Sequence, residues 1–177
     1  KEDHYINVLS TKQVAGIIFV ATGDRATSLK ELLAQNLPIV LVDRDLDDIQ
    51  VDAVLLDNHQ CGYIATKHLI ELGHECIGLI AGPFNLTPSA DRIIGYKDAL
   101  NEANLKCDEQ FIFKGNFHPI SGYEVANHLL ALANRPSAIF AMNDLMAMGA
   151  IRAATEHGLK VPEDLAIVGF DDIELAS

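Results

Sequence analysis

The sequence has few cysteines, no long apolar run and far fewer basic than acidic side chains. The three cysteines, Cys61, Cys76 and Cys107, are widely spaced and form no CxxC pair, which argues against a disulfide framework and predicts reduced thiols. No apolar run approaches the roughly 18 residues of a membrane-spanning helix. The 177 residues carry 13 Lys and Arg against 25 Asp and Glu, a formal net charge of −12. Such an acidic chain is not expected to bind DNA or RNA by itself.

The common enzyme and cofactor motifs are also missing. There is no GxGxxG after a strand, no P-loop and no GxSxG elbow, which argues against a dinucleotide enzyme and an α/β-hydrolase. Two groups contain possible metal ligands: His68, His74, Glu75 and Cys76 in one, and Asp43, Asp45, Asp47 and Asp48 in the other. Neither has HExxH or paired-cysteine spacing. We therefore interpret them as ordinary histidines and a solvated acidic loop, and expect neither metal nor cofactor.

Apolar runs of strand length alternate with amphipathic stretches of helix length. The runs are Val14–Val20, Ile39–Val42, Ala53–Leu56, Ile77–Ala81, Phe111–Lys114, Ala138–Ala141 and Leu165–Gly169. The first two are continuously apolar, as strands covered on both faces require. This alternation predicts an α/β fold with parallel sheets flanked by helices. A change of rhythm near Asp57 divides residues 1–57, a partial first lobe, from residues 58–177, a second lobe.

Local signals place the helix ends and inner faces. Ser28-x-x-Glu31 and Ser121-x-x-Glu124 match the capping box that begins a helix. Gly73 and Gly158 are suited to the residue that follows a helix. Apolar spacing places Cys61, Ala65, His68, Leu69 and Leu72 on the inner face of one helix, and Ala147, Ala150, Ile151 and Ala154 on that of another.

Polar and aromatic side chains follow the predicted strands of the second lobe. In an open parallel sheet, ligands bind outside the carboxyl ends of the strands, so these residues are expected on one solvent-facing edge. Arg92 can donate two parallel hydrogen bonds and Asp171 can accept two. Asn143 can both donate and accept hydrogen bonds, and Phe117 can pack against the face of a ligand ring. Together these groups suit a polyol.

Each of these side chains also has an explanation that involves no ligand. Arg92 can be a surface arginine, Asn143 an N-cap and Phe117 a core residue. Asp171 and Asp172 can be solvated carboxylates in a turn. Their shared place at the strand ends favours a binding site.

The spacing of short motifs resembles the LacI/GalR family of repressors from about residue 5 to the end. These motifs are Asp57-Asn58, Gly62-Tyr63, Leu72-Gly73-His74, Ala81-Gly82-Pro83, Arg92-x-x-Gly95-Tyr96, Ser121-Gly122-Tyr123, Ala138-Ile139-Phe140-Ala141-x-Asn143-Asp144 and Val161-Pro162-Glu163-Asp164 through Gly169-Phe170-Asp171-Asp172. The last stretch is the most specific. Each motif is weak alone, and the ordered series carries the resemblance.

The resemblance implies two periplasmic-binding-protein-like lobes around an effector cleft. It further implies a cytoplasmic homodimer that contacts operator DNA only through helix-turn-helix headpieces. Effector-contacting positions of the family correspond to Arg92, Phe117, Asn143, Asp171 and Asp43. The Asn143-Asp144 pair is similar to the sugar-responsive members, and so is Leu86, where purine-responsive relatives have a basic residue. The expected effector is thus a sugar or a related small metabolite.

Some family segments do not appear in the sequence. They are the headpiece, the hinge helix, the first strand and helix of the sensing domain, and the segment that closes the first lobe. We therefore expect the functional protein to be longer. Two rival functions remain open at this point: a periplasmic sugar-binding protein of a transport system, and an α/β enzyme with Asp171 or Asp172 as general base. The second lacks an accompanying nucleophile and orienting group.

Overall fold

Parallel strands and helices alternate along the chain, as the sequence predicts. The computed structural model describes residues 5, 8–9, 11–12, 14–20, 27–34, 36–43 and 50–176, apart from the side chains of residues 27 and 28. The chain divides into two compact units, Lys1–Leu56 and Asp57–Ser177. Each unit is described separately.

The first unit contains a small parallel sheet. Its elements are β1 (Ile17–Val20), α1 (Thr27–Ala34), β2 (Ile39–Val42) and β3 (Asp52–Val54). The strand order is β1-β2-β3, and a core of Ile17, Leu29, Leu32, Ile39 and Leu41 lies between α1 and the sheet. The expectation that β1 is covered on both faces is wrong, since Ile18 is 78% exposed. Among the described residues, helix α1 covers only one face, so alternate side chains of β1 point to solvent.

The second unit is a four-stranded parallel sheet with helices on both faces. Its elements are α2 (Asn58–Glu71), β4 (Ile77–Ala81), α3 (Thr87–Glu102), a 3₁₀ turn (Glu109–Phe111), β5 (Ile112–Lys114), α4 (Pro119–Leu130), β6 (Ala138–Ala141), α5 (Asp144–Glu156), β7 (Ala166–Val168) and a 3₁₀ turn (Glu174–Ala176). The strand order is β5-β4-β6-β7. Because βαβ connections are right-handed, α3 lies on one face and α4 and α5 lie on the other. Helix α2 packs against α3.

The central strands carry the core of this unit. Every residue of β4 and β6 is buried, which is why these strands read as continuous apolar runs. Strand β5 lies at one edge of the sheet. The Tyr96 hydroxyl donates to the Ile77 carbonyl at 2.7 Å and ties α3 to β4. Burial raises the pKa of Tyr96 and keeps its hydroxyl protonated.

The helices of the second unit form two pairs that cross in the same way. In the first helix pair (α2 and α3) and the second helix pair (α4 and α5), glycines let the backbones touch. A Cβ added at any of these glycines would collide with a carbonyl oxygen of the partner helix. The glycines and carbonyls are Gly62 with Arg92 and Gly95 with His59 in the first pair, and Gly122 with Met146 and Gly149 with Pro119 in the second.

Helix ends agree with the sequence in two cases and differ in one. Gly73 and Gly158 follow α2 and α5 with φ of +92° and +74°, a conformation that glycine adopts without steric cost. Helix α4 begins at Pro119, ahead of the predicted capping residue Ser121, whose hydroxyl donates to the His118 carbonyl inside the first turn. Proline fits the first helical position because no N–H is needed there. Helix α1 begins at Thr27, and the Ser28 side chain lies outside the described residues.

Two predicted inner faces need correction. In α2 the buried residues include Gly62, Thr66 and Leu69, whereas His68 and Leu72 are exposed. In α5, Ile151 is 41% exposed. Close helix crossing selects small residues for the contact, so apolar spacing alone misplaces the inner face of such a helix.

The three cysteines are free and form no disulfide. Burial raises the pKa of Cys76 and of Cys107, which makes these thiols less reactive. Within the described ranges, no helix is both long enough and apolar enough to span a bilayer. The same residues contain no group of three or more His, Cys, Asp or Glu that could hold a metal ion.

Candidate functional site

Arg92 on α3 lies at the carboxyl ends of β4 and β6 and is enclosed by protein. Its Nε donates to Asn58 Oδ1 at 2.9 Å, and its Nη1 donates to the Met142 carbonyl at 2.7 Å. The guanidinium carbon lies 3.7 Å from the centroid of the Phe170 ring. Only 7% of Arg92 is exposed. The prediction of a solvent-facing arginine is therefore wrong, because the close crossing of α2 and α3 and the Phe170 ring cover it.

Asn143 combines a structural role with a place at the same edge. Its Oδ1 accepts from the Met146 N–H at 2.9 Å and caps helix α5, as the sequence predicts. Its Nδ2 donates to the Phe117 carbonyl at 3.1 Å. The side chain thereby connects the end of β6 to the loop that follows β5.

Phe117 is half-buried in that loop and has a left-handed backbone, with φ of +64°. A bulky residue rarely adopts this conformation. Its ring packs against the core and against Gly82, where an added Cβ would collide with the ring. The expectation of a core residue is thus met in part, since the ring lies where the core reaches the strand ends.

Asp171 and Asp172 are exposed in the segment after β7, with φ of +109° and +57°. Asp144 holds this segment in place. Its N–H donates to the Phe170 carbonyl at 2.7 Å, and its Oδ2 accepts from the Ile173 N–H at 2.9 Å. Asp171 therefore directly follows the ring that stacks on Arg92.

Four of the five predicted site residues belong to one connected group. Arg92 contacts Met142, the neighbour of Asn143, and Asn143 contacts Phe117. Arg92 also stacks on Phe170, the neighbour of Asp171. The fifth, Asp43, belongs to the first unit, where it follows β2 with φ of +71° and its N–H donates to the Val54 carbonyl at 2.9 Å.

Sequence reasoning missed the residues that hold Arg92. Asn58 is a buried polar residue at the start of α2, and Phe170 precedes the predicted Asp171. The sequence contains one signal that could have identified Asn58. Asp57 is the N-cap, so the asparagine that follows it is not needed for capping. The assembled edge contains a buried cation, a buried amide, a half-buried aromatic ring and exposed carboxylates, which are the residue types that bond to donors and acceptors of polar ligands.

Residues 66–177 match the model of the periplasmic binding protein-like domain, and the fold agrees with that class of domain. The chain is 43% identical over 180 residues to the transcriptional regulator DegA of Bacillus subtilis. The aligned region covers 99% of this chain and 53% of that protein. The chain is 40% identical over 173 residues to the repressor PurR of Actinobacillus pleuropneumoniae, covering 98% and 52%. The chain belongs to the LacI/GalR family of transcription regulators.

A solved complex shows the same fold. The transcriptional regulator CelR with cellobiose superimposes with a TM-score of 0.89 and 34% identity, covering 98% of this chain and 54% of that one. The chain spans about half the length of the curated relatives it matches. These relatives are transcription regulators, so the comparisons support a regulator and do not support a transport protein.

Proposed function

We propose that this chain is the effector-sensing part of a cytoplasmic LacI-type repressor. The second unit binds a sugar or related small metabolite at the edge formed by Arg92, Phe117, Asn143 and Asp171. Binding changes the affinity of a helix-turn-helix headpiece, carried by another part of the protein, for operator DNA. This coupling requires that the effector bind two conformations with different affinity.

The buried Arg92 is the observation that carries this proposal. Burying a guanidinium is costly unless hydrogen bonds and a stacked ring compensate for the lost water. Asn58, the Met142 carbonyl and Phe170 supply these contacts and fix the cation at the strand ends. A cation held rigidly beside Asn143 is prepared to bind a polar ligand. Cellobiose in the CelR complex is an example of such a ligand in a relative.

A thermal-shift screen tests the site. Pentoses, hexoses, their phosphates and nucleobases are added to the protein, and an effector raises the melting temperature with increasing concentration. Asp171→Asn should reduce that rise. The matched control is Arg135→Ala, at an exposed arginine just before the amino end of β6 and therefore away from the carboxyl ends of the strands. This control should preserve the rise in melting temperature. An equal response in Asp171→Asn, or no response to any compound, would contradict the proposal.

The sugars of the same screen also test the alternative hypothesis that the protein is an enzyme. Asp171 and Asp172 lie on an exposed turn, and sugars incubated with the protein should be recovered unchanged. Formation of a product would favour catalysis by one of these carboxylates over reversible binding.

The second helix pair offers a surface for a second copy of this chain. Ile120 is 71% exposed, and Met148 and Ile151 are 36% and 41% exposed. Because the backbone of Pro119 touches Gly149, Ile120 and Met148 flank the same helix crossing. Exposed apolar side chains close together on a chain with a formal net charge of −12 are typical of an interface between subunits. The homodimer therefore forms in part through α4 and α5.

A further inference from the structure

The hydroxyl of Ser89 has no hydrogen-bond partner. Ser89 lies in the first turn of α3 and is 1% exposed, and its Oγ is the only buried side-chain nitrogen or oxygen without a partner in the described part of the chain. Its backbone N–H is satisfied by the Leu86 carbonyl at 3.0 Å. A buried hydroxyl without a partner lowers stability, so its presence calls for a functional explanation.

This hydroxyl lies at the candidate site, next to the Phe117 ring. A Cβ added to Gly82 would meet both the Ser89 Oγ and the ring edge of Phe117. Gly82 directly follows β4, and its N–H donates to the Met142 sulfur at 3.2 Å. Ser89, Gly82 and Phe117 therefore meet at the carboxyl ends of β4 and β6, on the same edge as Arg92.

The second helix pair contains a corresponding residue whose polar atoms are satisfied. Ser89 precedes Arg92 by three residues, and Asn143 precedes Met146 by three residues, while Arg92 and Met146 occupy the same place in the two helix crossings. The Asn143 side chain accepts from Met146 and donates to the Phe117 carbonyl. Of two polar side chains in corresponding places, only Ser89 lacks a partner.

The ring beside Ser89 is held in a strained position. Phe117 has φ of +64°, a conformation that costs energy for a residue with a Cβ. The Asn143 Nδ2 donates to its carbonyl and maintains that position. A backbone rearrangement that returns Phe117 to a negative φ would relieve this strain and would also move the ring away from the hydroxyl.

We propose that Phe117 is a movable cover over Ser89, and that Ser89 is a specificity-determining contact for hydroxylated effectors. Binding displaces the ring, and an effector hydroxyl then exchanges a hydrogen bond with Ser89 Oγ. An effector without a hydroxyl at that point leaves Oγ unpaired and binds more weakly. The inference rests on the proposed function for the identity of the ligand, but the movement of the ring can be measured without one.

Thermal unfolding of Ser89→Ala gives the first test. Because the hydroxyl makes no hydrogen bond, the variant should melt at the same temperature as the parent or higher. The matched control is Ser121→Ala, which removes a buried hydroxyl that accepts from Asn116 N–H and donates to the His118 carbonyl, and it should melt lower. A decrease in Ser89→Ala as large as that in Ser121→Ala would overturn the inference.

Labelling with methyl methanethiosulfonate tests the cover. The thiol introduced by Ser89→Cys should be modified slowly, and adding Phe117→Ala should accelerate modification at least tenfold, as followed by mass spectrometry of its peptide. The native Cys76, half-buried at the start of β4, serves as the internal reference and should react at an unchanged rate. A thiol that resists modification in both backgrounds would overturn the movable cover.

A sugar titration separates this inference from the proposed function. D-cellobiose, D-glucose and D-ribose are tested on the parent protein, and any that binds is titrated into Ser89→Ala, where its affinity should fall about fivefold. An unchanged affinity overturns the role of Ser89. If no compound of the thermal-shift screen binds, the proposed function fails, while the unfolding and labelling results still decide whether the ring covers Ser89.

Discussion

The two helix pairs of the second unit are built alike on opposite faces of one sheet. In each pair, glycines allow backbone contact, and a tyrosine next to a crossing glycine donates to a glutamate on the partner helix. Tyr63 donates to Glu102 and Tyr123 donates to Glu156, both at 2.6 Å. A cation lies over each tyrosine ring, Lys67 in the first pair and Arg152 in the second.

The pairs differ at two corresponding places. At the crossing, the first pair has the cation Arg92 where the second pair has the apolar Met146. On the outer surface, the exposed apolar residues Ile64 and Ile94 of the first pair correspond to Glu124 and Met148 of the second. The polar Gln60 and Lys97 of the first pair correspond to the exposed apolar Ile120 and Ile151 of the second. Features present in both pairs are requirements of helix packing. Features present in one pair are therefore better support for the two proposals, a ligand site beside the first pair and a subunit interface on the second.

The largest effects are expected at the shared crossings. Gly62→Ala and Gly122→Ala each place a methyl group against a partner backbone that cannot move aside, so each should lose about 4 kcal/mol of unfolding free energy or fail to fold. The control Gly73→Ala has open space around it and should lose only about 1 kcal/mol from its positive φ. Urea denaturation measures all three. A loss of unfolding free energy at one crossing without a comparable loss at the other would show that the two helix pairs do not pack alike.

Replacing Arg92 tests the first difference. Arg92→Ala removes the hydrogen bonds that Arg92 donates to the Asn58 and Met142 oxygens and should cost about 3 kcal/mol. Arg92→Met supplies the residue type of the second pair and fills the space over Phe170, but it also lacks the arginine donors, so it should cost less than Arg92→Ala, about 2 kcal/mol. Neither variant should respond to an effector of the parent protein in the thermal-shift assay. A stable Arg92→Met that responds normally would assign Arg92 to packing alone.

The sequence was sufficient to predict the alternating fold and the grouping of Arg92, Asn143 and Phe117 at the strand ends, while their role in ligand binding stays a prediction. Strand-length apolar runs identify β4 and β6 because both are buried on every side, and the carboxyl-end rule then selects Arg92, Asn143 and Phe117. The burial of Arg92 could not be predicted, because it depends on how closely α2 and α3 approach. That distance is set by Gly62 and Gly95, which a hydrophobic pattern ignores.

Because a hydrophobic pattern ignores these glycines, it also fails to predict which side chains of the helices face outward. Ile151 fits an inward apolar pattern, and only the tight crossing at Gly149 turns it outward. Ser89 carried no signal at all. A serine near a helix start is ordinary in sequence, and its missing hydrogen bond becomes visible only when the surrounding atoms are placed.

The second difference is tested by charges at one corresponding position. Met148→Glu on the second pair should convert a dimer into monomers, because a carboxylate cannot be buried unpaired in an apolar interface. The matched variant Ile94→Glu on the first pair should leave the dimer intact, and both should change the unfolding free energy of the protomer by about 0.5 kcal/mol or less. Sedimentation velocity distinguishes the two. Identical behaviour of both variants, or a monomeric parent protein, would contradict the assignment of α4 and α5 as the interface.

The smallest effects are expected at the tyrosine–glutamate contacts. The hydrogen bond from Tyr63, together with the charge of Lys67, lowers the pKa of Glu102 below its ordinary value. Hydrogen bonds from Tyr123 and Arg152 lower the pKa of Glu156 in the same way. A lowered carboxyl pKa stabilises the fold above the ordinary pKa, and this stabilisation is lost as the pH falls through the lowered value.

Tyr63→Phe and Tyr123→Phe should therefore raise the pKa of Glu102 and of Glu156, respectively, each toward its ordinary value, as measured by carbon NMR of the carboxyl groups. Since the tyrosine is the largest cause of the shift in both pairs, the two rises should be similar, and each variant should lose less stability than the parent on acidification. Both contacts are exposed to solvent, so the change at neutral pH should be small. If only one glutamate responds, the two contacts differ in kind, and the equivalence of the helix pairs would extend to the glycine crossings but not to the surface contacts above them.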